Sequence, residues 1–285
     1  MTVTTTIEPS QGGKTRVRLV SFDLTRKCQL ACTHCYNESG PGGTHGTMAR
    51  DDWFRALDQA AEYGVSTVQF IGGEPTMHPD LHHLVDNALS LGMQVEVFSN
   101  LVRVTDADWA LFALPGVSLA TSYYSDRAEV HNALTGRASH HKTRANIERA
   151  VSRGLPLRVG IIVGEGDDGA AARADLESLG VTRVGIDHVR GFGRGQGEHP
   201  ACDVTALCGR CGHDRAAIGP DGEVSPCTMS GWLKAGNVRM SPLADILSGE
   251  EMAGLTATIP MLADPCSPND TSCAPDAYPC YPSNE

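Results

Sequence analysis

The chain has 285 residues, 41% of them hydrophobic, and a formal charge of −11. That length suffices for one substantial core, or one large and one small domain. No apolar run approaches the roughly 20 residues of a transmembrane helix, and the acidic balance argues against wrapping a nucleic-acid backbone, which is gripped by Lys and Arg.

Residues 1–16 are polar and Thr/Gly-rich, with no apolar core of a signal peptide. They are expected to be a disordered segment of a cytoplasmic protein. From Val17 the sequence alternates short apolar runs with amphipathic ones. Strands are predicted at 17–23, 67–71, 94–98, 117–121, 157–163 and 183–187, with helices at 51–63, 80–91, 105–113, 140–153 and 168–179. Gly64, Gly92, Gly154 and Gly180 stand where a left-handed helix cap favours glycine. Six strands alternating with helices imply a parallel sheet with right-handed crossovers.

After Arg190 the character changes. Residues 191–197 form a Gly/Arg-rich linker, and seven of the ten cysteines follow it. Residues 217–227 read as a hairpin turning at Asp221-Gly222. Ser241-Pro242 reads as an N-cap followed by proline at the first helical position, opening a short helix to about Leu247. The tail from Pro265 has too little apolar surface to order itself. His140 and His141 read as solvent-facing residues at a helix start.

The chemistry concentrates in the loop after the first strand, where Cys28, Cys32 and Cys35 are followed at once by Tyr36. Three thiolates at this C-x3-C-x2-C spacing can hold three irons of a [4Fe–4S] cube and leave the fourth iron open. A four-cysteine zinc site usually shows two C-x2–4-C hooks, and a disulfide framework wants a small secreted chain. The pattern resembles the radical S-adenosylmethionine (radical SAM) superfamily. The resemblance implies an α/β fold, a partial (β/α)6 TIM-like barrel over 17–190 with functional groups at the C-terminal ends of its strands.

Within that resemblance, Gly72-Gly73-Glu74-Pro75 after the second strand matches the family's GGEP motif. Glycines let the backbone approach a ligand, and Glu74 is expected to face the methionyl ammonium of SAM. Ser99 and Asn100 at the end of the third strand, and Ser122 at the end of the fourth, are expected near the nucleoside and ribose. Tyr36 is expected beside the adenine. Arg144 is expected to pair with the SAM carboxylate, against the alternative of an exposed helix charge. One electron from the reduced cluster would cleave SAM to a 5′-deoxyadenosyl radical, which takes a hydrogen from substrate.

Cys208-x2-Cys211, then Gly222-x4-Cys227 and Ala235-Gly236-Asn237-Val238, resemble the SPASM/Twitch extension of some radical SAM enzymes, here over 191–285. The resemblance implies at least one auxiliary [4Fe–4S] cluster, completed by a later cysteine; a zinc ribbon is the alternative. The sequence departs from a full SPASM pattern, having Cys266-x6-Cys273-x6-Cys280 instead. One of these can complete the auxiliary cluster. The other two, with Cys202, can hold a second cluster, or include a free thiol that donates a hydrogen atom, Cys280 being the candidate.

The reaction is less specified. The expected activity is oxidative modification or crosslinking of a ribosomally made peptide. The alternatives are an aminosugar or cyclitol dehydrogenase or epimerase, and a non-enzymatic iron–sulfur or zinc scaffold. About 15 residues stand before the first strand, so a separate leader-peptide-binding protein is one expected partner. A flavodoxin- or ferredoxin-type electron donor is another. Tyr123, Tyr124 and Asp126 after the fourth strand, with Arg190 and Arg194, fall where a substrate can meet the radical, Asp126 as a general base; a solvated loop is the plainer reading.

Overall fold

A computed structural model describes residues 17–164, 166–197 and 203–260. The expected disordered segment 1–16 lies outside the described residues, as do Cys202, Cys266, Cys273 and Cys280. Strands β1 (Leu19–Asp23), β2 (Thr67–Ile71), β3 (Gln94–Phe98), β4 (Val117–Tyr123), β5 (Leu157–Val163) and β6 (Val184–His188) pair in parallel, each with the next in sequence. Between them run α1 (Arg50–Tyr63), α2 (Leu81–Ser90), α3 (Asp106–Phe112), α4 (Ala128–Thr135), α5 (His140–Ser152) and α6 (Ala170–Ser178). This is the partial barrel anticipated above. Among the described residues no helix is long and apolar enough to cross a membrane.

The sheet does not stop at β1. Strand β7 (Arg215–Ile218) pairs in parallel with the free side of β1, and β8 (Glu223–Ser225) and β9 (Gly236–Asn237) continue it antiparallel. The strand order is β6-β5-β4-β3-β2-β1-β7-β8-β9. The predicted hairpin is therefore present, turning at Gly222 with φ 88°, and it extends the barrel's own sheet. Helices α7 (Leu243–Ser248) and α8 (Glu250–Ala257) close the described part.

Helix α1 shows why these elements dock. Its buried residues Trp53, Ala56, Leu57 and Ala60 recur at 3, 4 and 7 residues, one stripe of a 3.6-residue period. Trp53 packs at 5.9 Å from the ring of Phe22 on β1, and Phe22 at 5.8 Å from Phe70 on β2. Each such fully buried side chain contributes about 1.5–3 kcal/mol. Gly64 ends the helix at φ 91°, as expected of a left-handed cap.

One helix was not anticipated, and one local expectation is corrected. Helix α4 carries only His131 and Thr135 buried, so it has no apolar stripe to announce it. Pro242 stands at the N-cap of α7 and not inside it, and the free N–H of Leu243 is taken by Gln59 Oε1 of α1 at 2.6 Å, which leaves Ser241 exposed. The barrel interior is unexpectedly polar. Ser21 donates to Gln69 Oε1 (2.9 Å), Gln69 Nε2 to Glu96 (2.7 Å), and Arg158 reaches both Glu96 oxygens at 2.7 Å. Burial alone raises the Glu96 carboxyl, but the Arg158 guanidinium and the Gln69 amide hold it below its usual value.

Candidate functional site

A cavity of about 220 Å³ opens at the C-terminal ends of the barrel strands. Its lining takes Gly72 and Gly73 after β2, Phe98 and Asn100 at β3, Ser122 and Tyr124 at β4, and Asp187 to Arg190 at β6. All six described cysteines line it: Cys28, Cys32 and Cys35 from the loop after β1, and Cys208, Cys211 and Cys227 flanking β7 and β8. Residues separated by almost 200 positions meet here because β7 pairs with β1.

The first cysteine loop is tied down on every side. It closes on itself through Cys28 N–H to Gly40 O and Gly40 N–H to Arg26 O, both 3.0 Å. Helix α4 accepts the N–H groups of Ala31 (3.0 Å to Thr135 O) and Thr33 (2.9 Å to Leu134 O) at its C-terminal carbonyls. The Gly72-Gly73 turn lies so close that a Cβ at Gly72 would stand 2.6 Å from Thr25 O, and one at Gly73 2.5 Å from Lys27 O. This is why the turn is glycine.

Two donors point at Cys28 Sγ: Leu30 N–H at 3.4 Å and Asn100 Nδ2 at 3.6 Å. Burial pushes the Cys28 thiol up to about 12 and the Cys32 thiol to about 11, so as bare thiols both hold their protons. Metal must displace those protons, the ordinary condition for thiolate ligation. Among the described residues no three His, Cys, Asp or Glu side chains are grouped as ligands of a single ion. A four-iron cube asks its thiolates to stand apart around it, and this donor set with its adjoining cavity fits one.

The second set is tighter. Cys211 Sγ lies 3.0 Å from Cys227 Sγ. The hydrogen bonds that Cys211 donates to its two cysteine neighbours raise its own thiol, and the one Cys227 accepts lowers Cys227. Cys227 is capped by its own N–H to Ser230 Oγ at 2.9 Å. Arg215, held at 2.9 Å by Asp214, places a buried positive charge near Cys208 and Cys227. Three sulfurs and a guanidinium suit an anionic cluster in charge and donor type, and Cys211 and Cys227, 3.0 Å apart, would have to spread to hold a cube.

Several expected site residues sit elsewhere. Glu74 is fully buried and does not line the cavity: its Oε1 accepts from Thr76 N–H (3.1 Å), Thr76 Oγ1 and Ser99 Oγ (both 2.8 Å), and its Oε2 from Asn100 N–H (2.8 Å). Burial raises its carboxyl. Ser99 is likewise consumed by Glu74. Arg144 makes a two-pronged pair with Asp175 (2.7 and 3.0 Å) outside the cavity lining. Tyr123 points out of the barrel, where its buried hydroxyl meets His140 Nε2 at 2.8 Å and Asp175 Oδ2 at 2.7 Å. The next residue, Tyr124, just past the end of β4, faces the cavity, because successive residues of extended chain face opposite sides. Asp126 is exposed and does not line the cavity either. His140 is buried at 8% exposure, the reverse of the solvent-facing reading, while His141 is exposed.

Tyr36, Gly72, Gly73, Asn100 and Ser122 do line the cavity. Tyr36 packs on the apolar cluster around Cys211 and Cys227, so it stands between the two sulfur sets. Asp187 pairs with Arg190 at 2.9 Å within the lining. Arg194 does not line the cavity, and its guanidinium grips the cysteine loop from outside. Sequence reading placed Tyr124 near the substrate but missed Asn37 and His34, whose ring lies 4.8 Å from that of Tyr124. Only their closeness to the three cysteines signalled them.

Residues 22–179 match the Radical SAM superfamily, and residues 208–274 match SPASM, an iron–sulfur cluster-binding domain. The chain is similar to the PqqA peptide cyclase of Streptomyces rochei, 29% identical over 79% of this chain and 67% of that protein. It is similar to the antilisterial bacteriocin subtilosin biosynthesis protein AlbA of Bacillus subtilis (strain 168), 26% identical over 73% of this chain and 54% of that protein. The chain thus spans between about half and two thirds of these relatives. Its fold resembles that of Streptococcus suis SuiB bound to precursor peptide SuiA, with a TM-score of 0.70 at 13% identity, over 84% of this chain and 66% of that one.

Proposed function

This chain belongs to the radical SAM superfamily and carries a SPASM iron–sulfur cluster-binding domain, and from that premise we propose that it oxidatively modifies or crosslinks a ribosomally made peptide. One observation carries the reading: the relatives it matches over more than seven tenths of its length are named for a peptide cyclase and for bacteriocin biosynthesis.

The family's cofactors are a [4Fe–4S] cluster with an open iron, SAM, and an auxiliary cluster in the second domain, and together they supply one-electron cleavage of SAM and an acceptor for the electron left on substrate. The residues of this chain hold and shape that chemistry. Cys28, Cys32 and Cys35 would hold the first cluster; Cys208, Cys211 and Cys227 would hold the auxiliary one, completed by one of Cys266, Cys273 and Cys280, and the other two with Cys202 could hold a second. Asn100 and Leu30 N–H donate toward Cys28, and donors to sulfur tune a cluster's potential. Gly72, Gly73, Tyr36 and Ser122 shape the SAM cleft. Asp187, next to Arg190 in the wall, is the cavity's carboxylate and replaces the exposed Asp126 as the candidate proton acceptor. Tyr123 is assigned a structural role by its outward hydrogen bonds, and Cys280 keeps the alternative role of hydrogen-atom donor. The barrel is taken as 17–190 and the cluster domain as 191–285, in a cytoplasmic protein served by a flavodoxin- or ferredoxin-type donor and a separate leader-binding protein.

The test is anaerobic SAM cleavage by the reconstituted, reduced protein, read as 5′-deoxyadenosine, with host extract split into peptide and small-molecule fractions. Stimulation by the peptide fraction and a product lighter by two hydrogens support the reading. Stimulation by the small-molecule fraction alone replaces it with a sugar-type dehydrogenase or epimerase, and one solvent deuterium in the product selects the epimerase.

A further inference from the structure

The linker between the two cysteine sets touches both. Phe192 is buried in the apolar cluster that holds Cys211 and Cys227, its ring 5.0 Å from that of Trp232. Two residues on, Arg194 turns to the other set. Its N–H donates to Cys35 O at 3.0 Å, its Nε to Cys32 O at 2.7 Å, and its guanidinium also to Ser39 O at 2.7 Å. The backbone on either side is pressed onto the loop. A Cβ at Gly193 would stand 2.4 Å from Cys35 O and 2.5 Å from Tyr36 O, and one at Gly195 2.6 Å from Arg190 O and 3.2 Å from His34 O.

We propose that Arg194 is a positioning residue for the first cluster: it clasps the cysteine loop through the carbonyls of Cys32, Cys35 and Ser39, and it fixes a permanent positive charge beside the cluster. Two physical effects follow. A guanidinium spanning two carbonyls 7 residues apart holds the loop's curvature in the fork geometry that lysine lacks. A fixed positive charge favours the more negative, reduced form of a cluster, since net charge and hydrogen bonding set iron–sulfur potentials. The Gly-rich linker is glycine where it lies against the loop, so that Arg194 can reach it. The inference rests on the family's cofactor set and is independent of whether the substrate is a peptide.

The test uses the reconstituted holoprotein without substrate, so its outcome says nothing about the substrate reading. The EPR signal that shifts on adding SAM identifies the first cluster, and its potential is titrated in the parent, Arg194→Gln and Arg194→Lys proteins. Iron released to a chelator is timed in parallel. Arg194→Gln is expected to lower the reduced-to-oxidised ratio of that signal on the order of tenfold at fixed donor potential, about 59 mV for one electron, and to release iron faster. Arg194→Lys keeps the charge and loses the fork, so it is expected to restore the potential while still releasing iron faster. Parent-like potential and iron release in Arg194→Gln overturn the proposal. If Arg194→Gln takes up no cluster, Arg194→Lys decides: parent-like iron release in it overturns the clasp.

Discussion

Glu74 accepts the backbone N–H of Asn100 at 2.8 Å, and Asn100 in turn aims its side-chain amide at Cys28 Sγ. The acidic residue of the glycine turn therefore acts on the first cysteine at one remove, as the anchor of a neighbouring loop. Glu74→Ala leaves four donors, the buried Ser99 Oγ and the partly buried Thr76 N–H, Thr76 Oγ1 and Asn100 N–H, without their acceptor. Hydrogen bonds to a charged group contribute about 1.5–3 kcal/mol each, so the variant is expected to lose at least about 3 kcal/mol in urea unfolding. Asn100→Ala keeps the backbone N–H that Glu74 accepts but removes the sulfur donor together with the acceptor of Gln29 Nε2 (2.8 Å) and Val102 N–H (3.0 Å). It is expected to cost less stability than Glu74→Ala and to shift the first cluster's EPR signal.

Tyr123→Phe separates a structural from a catalytic role. The variant strips His140 and Asp175 of a shared buried hydroxyl, which costs about 1–3 kcal/mol. SAM cleavage per cluster is expected to match the parent. A hundredfold loss of cleavage with unchanged stability would return Tyr123 to the chemistry.

Replacing Cys28, Cys32 and Cys35 together is expected to remove about four irons per chain and all 5′-deoxyadenosine formation. Replacing Cys208, Cys211 and Cys227 is expected to remove a similar share while leaving the signal that SAM perturbs. Iron analysis with EPR reads both, and a variant of the second set that keeps all its iron sinks the auxiliary assignment.

Acid should weaken the fold through buried histidines. Burial lowers His131 and His78 to about 4, whereas an unfolded histidine takes its proton near 6.5. Between those values the unfolded chain binds more protons, so this stability is whole above pH 6.5 and drains away as pH falls toward 4. The slope is about 1.4 kcal/mol per pH unit for each ring. His131→Phe is expected to flatten the urea-midpoint profile by about one ring's share, and an unchanged profile counts against neutral burial.

Gly193→Ala is expected to damage cluster uptake. At φ +51° a side chain is already strained, and its Cβ meets two carbonyls of the cysteine loop. Strain of this kind costs about 1–3 kcal/mol. Iron content after reconstitution reads the effect, and parent-like content would show that the loop yields easily.

The barrel was legible because short runs rich in Val, Ile, Leu and Phe alternate with helical patterns along the chain, and because three cysteines at fixed spacing need no tertiary context to be noticed. Directions of side chains were not legible. Tyr123 ends β4 and Tyr124 follows it, so the two face opposite sides, and the register that decides which faces the cavity belongs to the sheet. Glu74 read as a ligand contact from the GGEP motif, and Arg144 from the fit of a guanidinium to a carboxylate, neither of which shows a partner distant in sequence. Their partners are Asn100, 26 residues away, and Asp175, 31 residues away. Helix α4 was missed because its function is to hold the cysteine loop with carbonyls, which leaves no pattern of side chains.

The pairing of β7 with β1 sets a schedule for the nascent chain. One side of β1 is satisfied by β2 soon after both leave the ribosome, but the other waits until residues 215–218 have been made. Through that interval an unpaired strand edge lies next to a loop of uncapped thiols, a combination open to wrong pairing and to oxidation. The protein is therefore expected to depend, during synthesis, on whatever shields strand edges and keeps thiols reduced. Slowing translation just before β7 should lower the yield of metallated chain more than slowing it after β9.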